Sequence, residues 1–153
     1  MKLISCTIEN FGKLNNVTYD FSGECNTICE DNGWGKSTLA SFIRVMFYGF
    51  KNESKKKLVD KERNRLMPWQ KGVYGGEIVF ETGGVVYSLR RTFGKKQVDD
   101  EFLLVRKDTN VECDDFSCDI GEELFKIDAQ SFERTVFICL LYTSDAADDM
   151  QCV

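Results

Sequence analysis

Hydrophobic and polar positions alternate with a period of two over residues 2–11, KLISCTIENF, where Ile4, Cys6 and Ile8 face one way. This period predicts a β-strand. Residues 15–21, NNVTYDF, predict a second strand that forms a hairpin with the first through the loop around Gly12. Residues 26–30, NTICE, are a short apolar run that predicts a third strand.

The pattern then changes to a helical one. Apolar residues recur at i, i+3, i+4, i+7 and i+8, the spacing of one face of an amphipathic helix. We therefore predict a helix that ends near Gly49 and buries the following side chains: Leu39, Phe42, Ile43, Met46 and Phe47.

The second half of the chain returns to strand patterns. Residues 75–94, GGEIVFETGGVVYSLRRTFG, predict two strands joined by a turn at Gly83-Gly84. Residues 101–108, EFLLVRKD, predict one more strand. Two short helices are predicted over the stretches IGEELFKI and DAQSFERTVFI, with Asp119 and Asp128 as their N-caps. These elements together predict an α/β fold.

Two segments do not follow either period. Residues 51–70 are basic, contain Pro68, and are predicted to form a long mobile insertion within a lobe of residues 1–139. From residue 140 the side chains become small and acidic, and they follow neither a helical nor a strand period. We predict that residues 140–153 are an atypical tail that is not native domain sequence.

Composition narrows the class of protein. A hydrophobic content of 42% with twelve Phe predicts a folded core. No apolar run approaches a membrane span, and the N-terminus does not read as a signal peptide, so a soluble cytoplasmic protein without a membrane partner is predicted. Seven cysteines without a C-x-x-C pair are interpreted as free thiols. The absence of His from the sequence excludes triads and metal sites that need imidazole.

The stretch of residues 28–42, ICEDNGWGKSTLASF, carries the candidate chemistry because it reads as a phosphate-binding loop (Walker A) between a strand and a helix. Gly33 and Gly35 would let the backbone approach an anion, and the helix N-terminus adds positive potential there. Lys36 would reach the β- and γ-phosphates, and Ser37 would offer its hydroxyl to Mg²⁺. The alternative is a glycine-rich turn that caps an ordinary helix.

One residue departs from the pattern G-x-x-x-x-G-K-[ST]. Glu30 stands where the first glycine is expected, and its charge would repel a triphosphate nearby. Trp34 occupies a position that commonly holds a small residue, and we expect it to point out of the loop.

Residues 1–43, together with the stretches VYGGEIVFE, YSLRRTFG and SFERTVFI, resemble the ATPase heads of the SMC-like group, including its SbcC-type and YhaN-like members. The resemblance covers about residues 1–138. It implies an N-terminal lobe of an ABC-type P-loop ATPase head, with a mixed sheet around the loop helix and an antiparallel hairpin layer. Trp34 lies within the implied nucleotide-binding loop, whose ligands by resemblance are Asn32, Gly33, Gly35, Lys36, Ser37 and Thr38.

The same resemblance implies ATP and Mg²⁺ as ligands, a second ATPase head as a dimer partner, and a nuclease subunit. In the complete protein it implies ATP hydrolysis coupled to DNA double-strand-break repair or DNA end processing. No glutamine loop follows the last predicted helix and no signature motif is present, so the resemblance implies a lobe that is cut short and inactive alone. Asp145, after an apolar run, is a rival metal ligand.

The basic run that begins at Lys51 and ends at Arg65 carries seven Lys/Arg against three acids. It is a candidate DNA contact, although the net charge of −5 argues against binding through the whole surface. Other interpretations remain: a solvated loop at this run, the phosphate loop of a transporter ATPase or small kinase, or a non-catalytic fragment that only binds nucleic acid.

Overall fold

The computed structural model describes residues 1–21, 23, 25–50 and 62–136. Within these residues six strands form one sheet and four α-helices accompany it. The elements in chain order are β1 Lys2–Phe11, β2 Leu14–Asp20, α1 Lys36–Tyr48, α2 Glu62–Arg65, β3 Gly75–Thr82, β4 Val85–Thr92, β5 Glu101–Arg106, β6 Val111–Glu112, α3 Ile120–Phe125 and α4 Ala129–Val136. A short 3-10 helix, Gln97–Asp99, lies between β4 and β5.

The strand order is β2-β1-β3-β4-β5-β6. Both predicted hairpins are confirmed, since β1 pairs with β2 and β3 pairs with β4 across the turn at Gly83-Gly84. The predicted strand at β5 is confirmed as well. The sequence predicts a mixed sheet, but every pairing among the described strands is antiparallel. That part of the prediction is wrong for the residues described.

The strand predicted over residues 26–30 does not form. Residues 26–30 join none of the pairings of the six-stranded sheet, so they lack the neighbour that a strand needs for its N–H and C=O groups. The segment instead runs as irregular chain, with Ile28 half-buried against the core. Its apolar residues therefore reflect packing and not strand pairing.

Helix α1 lies across the sheet and contacts β1, β3 and β4. Its predicted apolar face is confirmed: four of the five predicted residues are buried, and Ile43 is half-buried. The helix ends where predicted, because the Gly49 N–H donates to the Val45 carbonyl at 2.7 Å in the last turn. Helices α3 and α4 pack beside α1 through the rings of Phe125 and Phe132, whose centroids are 4.7 Å apart.

The two predicted N-caps differ. Asp128 caps α4, since its carboxylate accepts the Ser131 N–H at 2.7 Å, and this hydrogen bond lowers the pKa of Asp128. Asp119 precedes α3 at the cap position, but its side chain makes no capping hydrogen bond there. The first prediction is confirmed and the second holds for position only.

The end of the predicted insertion has regular structure. Residues 62–65 form α2, and Arg63 is buried against the core. Its guanidinium makes a bidentate contact with Asp100, with N–O distances of 2.6 and 2.7 Å. The prediction of a mobile insertion is therefore wrong for this part, because a charged side chain far along the chain supplies the partner. Residues 51–61 and the tail of residues 140–153, including Asp145, lie outside the described residues.

Two adjacent arginines on β4 point to opposite faces of the sheet. Arg90 is exposed and pairs with Glu9. Arg91 is buried: it donates to the Cys118 carbonyl at 2.8 Å, and burial lowers the pKa of its guanidinium to about 10. The alternation of a strand sets this division, since neighbouring side chains face opposite ways.

No helix within the described residues is long and apolar enough to cross a bilayer. The cysteines of the described residues, Cys6, Cys25, Cys29, Cys113 and Cys118, are free thiols. Cys6 lies in the core, where burial raises the pKa of its thiol to about 12. A thiol with that pKa stays protonated at neutral pH and does not act as a nucleophile.

Candidate functional site

The glycine loop lies directly before α1, whose N-cap is Gly35. Gly33 and Gly35 have φ angles of +84° and +128°, in the region that favours glycine. A side chain at Gly35 would also place its Cβ 3.0 Å from Leu14 of β2. The two glycines are therefore required by the path of the backbone, as the sequence predicts.

Lys36 closes the loop. Its Nζ donates to the carbonyl oxygens of Glu30 at 2.6 Å and of Asp31 at 3.1 Å. The Trp34 N–H also donates to the Asp31 carbonyl, at 3.2 Å. These contacts join the two ends of the loop and hold the ammonium group next to the first turn of α1.

The N-terminus of α1 presents unpaired donors. The first backbone bond of the helix runs from the Leu39 N–H to the Gly35 carbonyl at 2.9 Å, so the N–H groups of Lys36, Ser37 and Thr38 precede the intrahelical ladder. No side chain caps this end. The positive end of the helix dipole, these three donors and the Lys36 side chain all belong to the first turn of α1. That combination suits an anion.

The other predicted ligands are accessible to different degrees. Asn32, Lys36 and Ser37 are exposed, and Thr38 is half-buried. The Trp34 ring packs edge-on against Tyr19 of β2, with centroids 5.9 Å apart and an interplanar angle of 86°. The contact is with a residue outside the loop, as expected, and it leaves Trp34 half-buried because β2 covers part of the indole.

Glu30 fits the loop without backbone strain. Among the described residues other than glycine, positive φ angles occur at Asn16, Asn110 and Lys126, and so Glu30 does not need the conformations that glycine alone allows. Burial raises the pKa of the Tyr19 hydroxyl, and Cys6 and Glu30 act in the same direction. Glu30 therefore opposes the binding of an anion through its charge and not through backbone strain.

A cavity of about 590 Å³ lies beside the first turn of α1. Three parts of the chain surround it: the turn between β1 and β2, helix α1, and residues 65–70. Its lining residues are Gly12, Lys13, Ser37, Thr38, Ser41, Arg65, Leu66, Met67, Trp69 and Gln70. The Gly12 N–H donates to the Leu66 carbonyl at 2.7 Å, which ties the first of these parts to the third.

Five polar or aromatic residues of this cavity were not predicted as site residues from the sequence, namely Lys13, Ser41, Arg65, Trp69 and Gln70. They are brought together by tertiary contacts between distant segments, for which no local period exists. Gly12 is the residue in the sequence that could have indicated this arrangement, because a Cβ there would come within 2.8 Å of the Thr38 methyl group. Such a glycine marks close packing of the β1–β2 turn on α1.

A glycine loop that leads into an amphipathic helix on an antiparallel sheet fits an AAA-type domain. The chain belongs to the AAA domain family, whose sequence model matches residues 5–140. It is also similar to the uncharacterized protein YhaN of Bacillus subtilis (strain 168), with 35% identity over 82 residues. These residues are 53% of this chain and 8% of that protein, so the chain spans a small part of the relative's length.

Proposed function

We propose that this domain binds ATP with Mg²⁺ through residues 32–38. The observation that carries the proposal is that the glycine turn leads directly into the uncapped N-terminus of α1, with the Lys36 ammonium folded back onto the loop carbonyls of Glu30 and Asp31. Membership of the AAA domain family supports ATP as the nucleotide. Each residue then has a role that follows from its chemistry.

The backbone N–H groups from Gly33 to Thr38 would surround the β-phosphate, because the glycine turn leaves this backbone uncovered. Lys36 would exchange its two carbonyl contacts for contacts with the β- and γ-phosphate oxygens. The exposed Ser37 hydroxyl would coordinate Mg²⁺, which prefers oxygen ligands. The exposed Asn32 side chain would contact the same phosphates.

The proposal extends to the complete protein. There the domain would serve as a lobe of an SMC-like, SbcC-type ATPase head that hydrolyses ATP after it meets a second head. DNA double-strand-break repair or end processing, with a nuclease subunit, is the process we propose. The resemblance of the loop and hairpins to such heads supports this extension, as does the basic run.

The binding proposal is tested by calorimetric titration of the purified chain with Mg-ATP. Saturable binding with one nucleotide per chain would support the proposal, and the absence of heat above dilution at millimolar nucleotide would contradict it. Titration with Mg-tripolyphosphate in parallel reports the phosphate contacts alone. A steady-state phosphate-release assay on the same preparation measures turnover.

Replacement of Glu30 should strengthen binding. Glu30→Gln removes the charge and keeps the side-chain length, so ATP affinity should rise a few-fold, equivalent to about 1 kcal/mol, through loss of repulsion. Glu30→Gly should give no more than this, because the backbone at residue 30 does not require glycine. Calorimetry at low and high salt checks the effect, which should shrink as salt rises. Weaker binding in both variants would mean that Glu30 supports the loop.

The basic run should contribute to DNA binding through its lysines. Replacement of Lys55, Lys56 and Lys57 by Gln should lower affinity for all DNA sequences alike, and the slope of log K against log salt should flatten by about 2 to 3. Arg63 is buried in an internal ion pair and is not a candidate contact. Fluorescence anisotropy with labelled duplexes at several salt concentrations measures the slope. An unchanged slope would favour the alternative interpretation of the basic run as a solvated loop.

A further inference from the structure

The cavity beside α1 shares two residues with the proposed phosphate site, Ser37 and Thr38. We propose that this cavity holds the nucleoside part of the bound nucleotide, and that Trp69 stacks on its base. The inference rests on the proposed function, since it assumes that the phosphates lie on the loop. It adds the residues that select a nucleotide over a bare polyphosphate.

The first support is position and size. Ser37 and Thr38, at the N-terminus of α1 where the phosphates are proposed to lie, also line the cavity, so a group joined to those phosphates can reach it. A volume of about 590 Å³ falls within the range of small-molecule sites. The hydroxyls of Ser37, Thr38 and Ser41 line the side of the cavity formed by α1.

The second support is the chemistry of the opposite wall, residues 65–70. This wall combines apolar surface from Leu66 and Met67 with the amide of Gln70 and the cation of Arg65. A base has two apolar faces and a polar edge, and it is joined to a charged phosphate chain. The lining thus matches a nucleoside better than it matches a purely apolar or purely ionic ligand.

The third support is Trp69 itself. Its side chain is 100% exposed, although it lies three residues after Leu66, which is buried. An indole ring that contributes nothing to the core is left with an open π-face at the cavity. Base stacking on aromatic side chains contributes about 1–3 kcal/mol per base, a factor of about five to 150 in affinity, and tolerates every base.

The wall is held in place before any ligand arrives. Arg63, two residues before Arg65, is fixed by Asp100, and the Leu66 carbonyl accepts the Gly12 N–H at 2.7 Å. The Tyr74 hydroxyl donates to the Arg63 carbonyl at 3.1 Å. The backbone of the wall is therefore fixed before binding, and the ordering cost falls mainly on the exposed Trp69 side chain.

The test compares two ligands and three variants by calorimetry. Trp69→Ala should weaken Mg-ATP binding by about fivefold to a hundredfold and leave the affinity for Mg-tripolyphosphate unchanged. Trp69→Phe keeps an aromatic face and should retain most of the ATP affinity. Val98→Ala, at another highly exposed apolar residue, is the matched control and should leave the affinity for both ligands unchanged. Because Trp69 is exposed, the melting temperature of its variants should equal that of the parent chain.

Fluorescence gives a second readout. The chain has two tryptophans, so Trp34→Phe leaves Trp69 as the sole reporter. Mg-ATP should then change its emission, whereas Mg-tripolyphosphate should not.

The outcomes separate the two proposals. Equal affinities of Trp69→Ala and the parent for Mg-ATP would overturn the stacking role and leave the phosphate loop standing. The same would follow if Trp69→Ala lost both ligands equally. If the parent binds neither ligand, the proposed function fails and this inference fails with it.

Discussion

Lys36→Ala is expected to abolish measurable Mg-ATP binding. The ammonium group is held at the mouth of the loop by the carbonyls of Glu30 and Asp31, next to the donors of α1. A hydrogen bond to a charged group contributes about 1.5–3 kcal/mol. The loss of two such contacts to phosphate would lower the affinity by about a hundredfold or more. Calorimetry with Mg-ATP and Mg-tripolyphosphate measures this loss, which should be similar for both ligands.

Controls keep this prediction specific. Lys36→Ala also removes the two bonds that close the loop, so its melting temperature must be compared with that of the parent. Lys95→Ala removes an exposed lysine that belongs neither to the loop nor to the lining of the cavity, and it should leave the affinity for Mg-ATP unchanged. An affinity of Lys36→Ala for Mg-ATP equal to that of the parent would contradict the assignment of the loop.

The elements that were predicted well are those whose signal is local. Helix α1 follows from its own apolar spacing, and the β3–β4 hairpin follows from Gly83-Gly84 between two apolar runs. The cap at Asp128 is also local, since its partner is Ser131, three residues along the chain. The positive φ angles of the loop glycines follow from the motif itself.

The features that were predicted wrongly depend on distant partners. Residues 26–30 have the composition of a strand, but they pair with no strand of the described sheet. The packing of Trp34 on Tyr19 was also not predicted, because only the fold brings β2 next to the loop. The segment around Arg63 has no period, and its order comes from Asp100, which lies 37 positions later. A single sequence contains no signal for these contacts.

The candidate site also has one part that could be predicted from the sequence and one part that could not. The proposed phosphate loop is a contiguous stretch, so its residues from Asn32 to Thr38 could be proposed from the sequence alone. The adjoining cavity is assembled from the β1–β2 turn, α1 and residues 65–70, so its lining could not be predicted. The proposed specificity of the site thus lies in the part that only the fold brings together.

The second large effect is expected at the ion pair that fixes this wall. The Arg63 side chain is 5% exposed and that of Asp100 is 16% exposed, and the guanidinium also donates to the Gly94 carbonyl and lies over the Phe50 ring. Asp100→Ala would remove the bidentate carboxylate partner of a buried guanidinium. Removal of one partner of a buried pair costs about 3–5 kcal/mol, and we expect a loss of that size in the free energy of unfolding.

Urea denaturation of Asp100→Ala and the parent measures this loss. Glu9→Ala breaks the more exposed pair with Arg90, whose side chains are 30% and 44% exposed, and should cost less than about 1 kcal/mol. The double variant Arg63→Met with Asp100→Leu should recover much of the stability, because apolar replacement of both partners removes the buried charges together. A loss below about 1 kcal/mol in Asp100→Ala would mean that solvent reaches the pair. The wall of residues 65–70 would then owe its position to the Gly12–Leu66 backbone bond, and Gly12 would become the residue on which the cavity depends.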